Sequence, residues 1–432
     1  MPNSQGKKLV VISVDAMVEE DLPLLRQLPN LGGVLAEASV VHKNLSTYPT
    51  LTHGVHASIY TGCYPIHHGI PGNEHFVPGN LRSPWYEHYR DLRLPGLPEL
   101  AQRQGLRSAC VFWPVTIGAP DTWVLHRSSI HDPADDEAAV VRSRSTPGLV
   151  DALWGVLGDT FTGGGADHYM QADTRSCRAA AELIRREQPD VLYMHLLGID
   201  HARHVGGVFG PHISAAYQAL DAVLSPVFRA LRETNLYDRT ILALTADHGQ
   251  IDIDRVVALN RFFRDCGLLR CDQEGNLTDW TVYGHAQAMS CQIYVRDHSP
   301  ELCRRVQRLL QENRQKLGIG EIMPLALVQQ RYHISGEPDF VVDTDGHSSF
   351  TSKFAVPLYA KIDDCDYRYS HATHGYLPEK GPQPTFFVRN PFTARRVEIA
   401  GARVIDQMPT LAAMMGLSAP DCDGAAIRAL LG

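Results

Sequence analysis

Residues 8–14, KLVVISV, form an unbroken apolar run, the pattern of a strand covered on both faces. The same pattern returns in DVLYMHLL and TILALTAD, with shorter versions in VVHKNLST, LRSACVFWP and PTFFVRN. Between these runs the apolar spacing changes to the helical period. PNLGGVLAEAS predicts a short helix ending near Ala38, HGVHASIYTG a second, and PGLPELAQRQG a third with Gly105 as its stop. Residues 168–188 and 212–234 predict longer helices, and VIDQMPTLAAMMG a last one. Strands that are apolar throughout, alternating with helices, predict an α/β fold with a mostly parallel sheet between two helical layers.

Residues 255–370 break this rhythm. QAMSCQIYVRD predicts a strand, PELCRRVQRLLQENRQKLG an amphipathic helix, and FVVDTDGHSS and KFAVPLYAKI further strands or a hairpin. The expected organisation is therefore an αβα core, 1–254 and 371–432, with a small α+β insertion, 255–370, over the strand ends. TGGGAD at 162–167 is expected as a flexible loop, since it opens no Walker pattern.

Composition narrows the function classes. At 432 residues, 44% hydrophobic and 20% charged, the chain is ordinary for a globular protein that buries a sizeable core. A net charge of -8 provides no bulk attraction to a nucleic-acid polymer or an anionic membrane, so a phosphate-bearing ligand would have to be held locally. Nine cysteines without a CxxC pair favour free thiols in a reducing compartment. The apolar run after MPNSQGKK is too short for a signal peptide or a membrane span. The expectation is a cytoplasmic protein with no membrane partner, its oligomeric state left open.

The candidate chemistry sits where the strands end, which is where α/β enzymes place their sites. Asp15 follows the first strand, and Asp247 and His248 end LTADHG, with Gly249 as the turn. Asp200 and His204 in GIDHARH are four apart, so a helical turn brings carboxylate and imidazole to one face, with His201 on another. His374 closes HATHGY. Thr52 follows a Tyr-Pro-Thr turn at the start of a helix, where free N–H groups favour an anion. Singly, each has a plainer reading: Asp15 or Asp247 as a helix cap, Thr52 as an N-cap, His374 as an isolated histidine. Jointly, six ligand-type residues and a hydroxyl supply two divalent-metal sites, Asp200, His204 and His374 for one and Asp15, Asp247 and His248 for the other. Two such ions can activate a hydroxyl and clamp the oxygens of an in-line phosphoryl transfer.

The stretches VVISVDAM, YPTLTHGVHASIYTGCYPIHHGIPGNEHF, GIDHARHVGG, LTADHG, HATHGY and DQMPTLAAMMGL together resemble the nucleotide pyrophosphatase/phosphodiesterase family of the alkaline phosphatase superfamily. That resemblance implies an alkaline phosphatase-like three-layer αβα sandwich and two zinc ions. It also implies a phosphothreonine intermediate on Thr52, released by water from the opposite face. The implied activity is a phosphodiesterase or nucleotide pyrophosphatase acting on a small phosphorylated substrate such as a nucleotide. The alternatives are a phosphomonoesterase or phosphonate hydrolase on the same site, or a metal-binding protein with little turnover.

The chain departs from the family at Val55, where an Asn three residues after the nucleophile is usual. The backbone N–H of His53 and the side chain of Asn73 are the candidate replacement donors, and His56 is assigned a packing role. Phe76, Trp85, Tyr86 and Trp113 are expected near the site, where a nucleobase could stack on one of them. No Arg or Lys lies between Lys43 and Arg82, which favours a diester or pyrophosphate over a monoester dianion.

Overall fold

Strand β1, Lys8–Val14, is the axis of the protein. In the computed structural model, which describes residues 6–120, 122–126, 136–161, 168–362 and 366–431, it lies at the middle of an eight-stranded sheet. The tract TGGGAD lies outside the described residues. The strand pairs in parallel with β5, Val191–Leu196, on one side and with β6, Thr240–Thr245, on the other. Beyond β5 come β3, Ser108–Val111, and β4, Thr122–Leu125, both parallel to it. Beyond β6 the strand Phe386–Arg389 runs antiparallel, followed by β2, Ser39–Leu45, and an edge strand, Glu398–Arg403. The sheet is thus mostly parallel.

The two periodicities of β1 explain its uniform hydrophobicity. Val10, Ile12 and Val14 face one apolar cluster, with Leu31, Leu183, Leu220 and Leu224 from the helices on that side. Leu9 and Val11 face the other, with Val55, Ile59, Met408 and Leu411. Both faces are covered, so alternation with polar residues would bury unpaired groups. Each buried aliphatic side chain contributes ~1.5–3 kcal/mol, which makes this three-layer packing the main source of stability.

The expected helices appear at Pro29–Leu35, Thr52–Thr61, Leu97–Gln102, His168–Arg186, Pro211–Glu233 and Gln407–Met415. Two expectations need correction. QAMSCQIYVRD is not one strand: a hairpin joins Val282–Gln287 to Ser290–Val295, turning at Ala288, whose φ is 53°. KFAVPLYAKI is not a strand pair either; only Tyr359–Ala360 is extended and paired, because Pro357 has no N–H to give a ladder. The edge strands Thr122–Leu125 and Glu398–Arg403 escape the pattern, the first by its shortness and the second by its half-exposed, glycine-containing sequence.

Residues 282–344 build a second, antiparallel sheet of four strands, backed by the helix Pro300–Glu312 and its own apolar cluster. The chain then returns through Ala372–Thr373, which pairs antiparallel with Ile251–Asp252. That pairing carries His374 back beside the end of β6. No helix among the described residues is long and apolar enough to cross a membrane.

One buried ion pair binds these strand ends together. Arg203, in the helix Gly198–Gly206, is wholly buried and donates from Nε to the carbonyl of Ala16 at 3.1 Å and from Nη2 to Asp21 at 2.5 Å. It also donates to the Val208 carbonyl, while Asp21 accepts from Tyr217 at 2.6 Å. Replacing Arg203 with Met leaves the Asp21 charge buried without its counter-ion. The expected loss is about 3–5 kcal/mol in denaturant unfolding, partly recovered by adding Asp21→Asn. A loss below about 1 kcal/mol would show that the pair does not hold these elements together.

Candidate active site

Asp15, Asp247 and His248 follow the ends of central strands, Asp200 and His204 lie in the helix after β5, and His374 follows the short strand Ala372–Thr373. Asp15 leaves β1 with its N–H on the Leu196 carbonyl at 2.9 Å. Ala16 then adopts a left-handed φ of 59°, unusual for a residue with a side chain. That turn aims its N–H at Asp247 Oδ1, 3.3 Å away, and its carbonyl at Arg203. Asp200 lies in the first turn of Gly198–Gly206, a helix whose N-terminal N–H groups are capped by Asp173: Leu197 and Gly198 donate to its carboxylate at 2.7 and 2.8 Å. His204 follows one turn later, its Nε2 3.2 Å from Asp200 Oδ2, as the i,i+4 spacing predicts.

Gly249 serves closeness rather than a left-handed turn. A Cβ there would lie 2.3 Å from the Pro382 carbonyl oxygen. Gly375 combines both needs, with φ 94° and the Gln287 carbonyl 2.2 Å from a would-be Cβ.

The predicted ligands converge. Ligand atoms of Asp200, His204 and His374 lie within 4.8 Å of one another, and so do those of Asp15, Asp200 and His248. Asp200 therefore faces both groups. Asp247 joins the second through its Oδ2, 3.2 Å from His248 Nε2. Thr52, the first residue of its helix, places Oγ1 3.4 Å from the same nitrogen.

The hydrogen bonds behind the ligands test whether a cation fits. His204 Nδ1 faces the Ala372 carbonyl at 2.6 Å, His374 Nδ1 the Thr50 carbonyl at 2.9 Å, and His248 Nδ1 the Gly249 carbonyl at 3.2 Å. A carbonyl only accepts, so each Nδ1 carries the proton and each Nε2 turns a lone pair inward. His204 Nε2 and Asp247 Oδ2 are buried there without a hydrogen-bond donor. Inward lone pairs set against carboxylates are the donor set of a nitrogen- and oxygen-liganded metal ion.

The electrostatics agree. Burial pushes the Asp247 carboxyl up to about 8, with the Asp200 charge adding to it. Burial also drives His248 well below its usual value and His374 down to about 4. Burial works most strongly against the Asp200 charge, but His204, His374 and His248 together outweigh it and hold this carboxyl low. Without a cation, the pocket tolerates some of its acids only by protonating them.

The remaining predicted residues divide. Asn73 accepts the His53 N–H on Oδ1 at 2.9 Å, so the two candidate donors are bonded to each other. Val55 is wholly buried in the apolar cluster against the sheet, a position that offers nothing to the site. His56 bridges the Thr52 carbonyl at 2.7 Å and Ser13 Oγ at 2.9 Å. His201 stacks on Tyr169, away from the ligand pair. Trp85 stands at the rim, edge-on to His53 at 4.9 Å. Phe76 instead stacks on Tyr294 at 3.7 Å among the aromatics of the second sheet, and Tyr86 stacks on His75 at 3.7 Å. Trp113 must be withdrawn as a ligand-stacking residue: it is fully buried, edge-on beneath His56 and Tyr193.

Sequence reasoning missed three supports. His195, inside the apolar run of β5, meets Asp15 Oδ2 at 3.1 Å; a histidine in a buried strand was the signal. Gln250 donates to Asp200 Oδ1 at 2.5 Å, and Ser46 to the Asp247 carbonyl at 2.6 Å, neither marked by spacing.

A family model described as type I phosphodiesterase / nucleotide pyrophosphatase matches residues 9–377. Human ectonucleotide pyrophosphatase/phosphodiesterase family member 1 is 26% identical over 259 residues, 56% of this chain and 23% of that protein. A Xenopus laevis bis(5'-adenosyl)-triphosphatase is 27% identical over 271 residues, 60% of this chain and 51% of that protein. The chain spans about half or less of the length of these relatives. Murine ectonucleotide pyrophosphatase/phosphodiesterase 5, solved as an inactive variant in complex with AMP, superposes with a TM-score of 0.66. It does so over 97% of both chains at 15% identity, a likeness of fold.

Because Trp113 is core, Trp113→Ala should lower unfolding stability by about 3–5 kcal/mol. Unchanged unfolding stability in this variant would show that the indole does not complete the core.

Proposed function

The chain belongs to the type I phosphodiesterase / nucleotide pyrophosphatase family, and on that footing we propose a metal-dependent hydrolase of phosphodiester or pyrophosphate bonds, with Thr52 as nucleophile. The observation that carries this reading is the set of three imidazoles, each with Nδ1 on a backbone carbonyl and Nε2 turned toward buried carboxylates beside a helix-terminal hydroxyl.

In this reading Asp200, His204 and His374 hold one divalent ion, and Asp15, Asp247 and His248 hold the other, with Asp200 between them; the family resemblance favours zinc. Such ions lower the pKa of a neighbouring hydroxyl and neutralise charge on phosphoryl oxygens. The protein's own groups do the rest. The Thr52 oxygen attacks phosphorus in line with the departing alcohol or phosphate, forming the Thr52 phosphoester as the P–O bond to the leaving group breaks. The Thr52 hydroxyl proton passes to solvent. Water then attacks from the opposite face and restores the hydroxyl. Thr52 stands at the positive end of the helix Thr52–Thr61, which favours the negative charge of the transferred group. A small nucleotide-type substrate accords with the AMP complex of the murine protein.

Purified protein with added zinc should hydrolyse bis-p-nitrophenyl phosphate faster than p-nitrophenyl phosphate. A chelator should abolish this turnover, and Thr52→Ala should reduce it by at least about 10³-fold. Faster monoester turnover would overturn the diester assignment, and an active Thr52→Ala would remove the nucleophile. Bound metal supplies a separate check. Asp200→Asn should lower the content of both ions, whereas His204→Ala should lower one; equal losses from the two variants would contradict the position of Asp200 between the sites.

A further inference from the structure

Tyr367 is the aromatic residue that stands over the cluster without any role assigned so far. Its ring stacks on His374, 5.4 Å between centroids and 17° between planes, and His374 stacks in turn on His248 at 3.9 Å. It meets His204 at 6.1 Å and Trp85 at 6.0 Å, both edge to face. The phenol is hydrogen-bonded to the Asn73 side chain. Asn73 Oδ1 takes the His53 N–H, and its amide N–H group is free to donate to the phenol oxygen. With the amide donating, the Tyr367 O–H donates elsewhere. Its ring is half-buried and lies at the rim of the cluster.

The chain on either side of Tyr367 is fastened. Arg368 makes a two-pronged pair with Asp366, at 2.9 and 2.7 Å, and reaches Glu74 at 3.2 Å. Glu74 in turn hydrogen-bonds the Trp85 side chain. Thr373 Oγ1 donates to the Tyr367 carbonyl at 2.5 Å. Asn73 and Glu74, consecutive in one loop, thus grip Tyr367 and Arg368, consecutive in another. Such bracing sets a hydroxyl for a fixed target, whereas a rim aromatic needs only its ring face. Position 55, where the family usually carries a donor, is apolar core here.

We propose that the Tyr367 hydroxyl donates a hydrogen bond to a non-bridging oxygen of the transferred phosphoryl group, with the Asn73 amide polarising it. This rests on the hydrolase reading above, in which the phosphoryl group lies between Thr52 and the Asp200, His204 and His374 ligands. The bond strengthens as charge builds on that oxygen, so it acts on the transition state more than on bound substrate.

Tyr367→Phe keeps the ring on His374 and Trp85 and removes only the hydroxyl. On bis-p-nitrophenyl phosphate, kcat should fall on the order of 10²-fold with KM within about twofold, metal content and melting temperature unchanged. Orthovanadate, which takes the five-coordinate shape of the transition state, should bind the zinc-loaded variant at least about tenfold more weakly by calorimetry. An unchanged kcat, a rise in KM alone, or a loss that follows metal content or melting temperature would overturn the assignment. The vanadate comparison separates this from the broader reading. Wild-type protein without turnover would sink the hydrolase reading, while equal vanadate binding by wild type and variant would sink the role of Tyr367 alone.

Discussion

Three carboxylates, those of Asp15, Asp200 and Asp247, share one pocket at the carboxyl ends of β1 and β6 and the start of the helix after β5, two of them wholly buried and Asp200 nearly so. Taking an ion from water into a protein interior costs several kcal/mol, and placing like charges side by side adds to it. The same two causes, burial first and the Asp200 charge second, raise the Asp247 carboxyl. The fold can keep such a pocket only if cations are part of it or if protons take their place. Much of the surrounding architecture follows from that constraint. The Nδ1 atoms of three histidines are tied to main-chain carbonyls, so their lone pairs cannot rotate away from the acids. His195 and Gln250 take the outer oxygens of Asp15 and Asp200. Ala16 holds a left-handed turn to deliver an N–H to Asp247.

The same constraint explains the buried Arg203. Its guanidinium touches none of the proposed ligands' side chains, yet it joins the turn after Asp15 to the helix that carries Asp200 and His204. The β1 exit and this helix belong to different βα units, and their relative position decides whether the two groups of ligands meet. An ion pair with Asp21, whose other partners include Tyr217 and the Val18 N–H, fixes that position by charge and direction rather than by apolar contact alone. Packing tolerates sub-ångström slip more readily than three directed guanidinium hydrogen bonds to Ala16, Val208 and Asp21 do.

How much of this the sequence carried depends on the kind of signal. Continuous apolar runs announce buried parallel strands because both faces are covered, so the central strands were legible along with the acids that end them. The Asp200–His204 spacing was legible because a helix converts four residues into one face. The QAMSCQIYVRD hairpin was not, since Ala288 turns it with a left-handed φ that alanine does not advertise. Nor were the inward lone pairs: the bond from Ala372 to His204 spans 168 residues, and no local pattern encodes it. Phe76 and Trp113 show the opposite error. An aromatic near a site in sequence was expected to face a ligand, whereas one completes the second sheet's cluster and the other fills the floor beneath His56. Hydrophobic area alone sends such rings inward unless something at the rim holds them out.

Trp85 and Tyr367 are held out, and the means is ionic. Glu74, Arg368 and Asp366 form a nearly buried chain of charges whose ends secure the indole and the segment bearing the phenol. Burial makes that chain expensive unless every member is paired, and each is. Two loops separated by almost 300 residues therefore close on each other as a unit. Thr52, His204 and His248 are set by the elements that follow the strand ends of the sheet, and Trp85 and Tyr367 by this charge chain. The two halves meet at Tyr367, whose ring stacks on His374 and whose carbonyl accepts from Thr373, so a change at the rim reaches the histidines beneath.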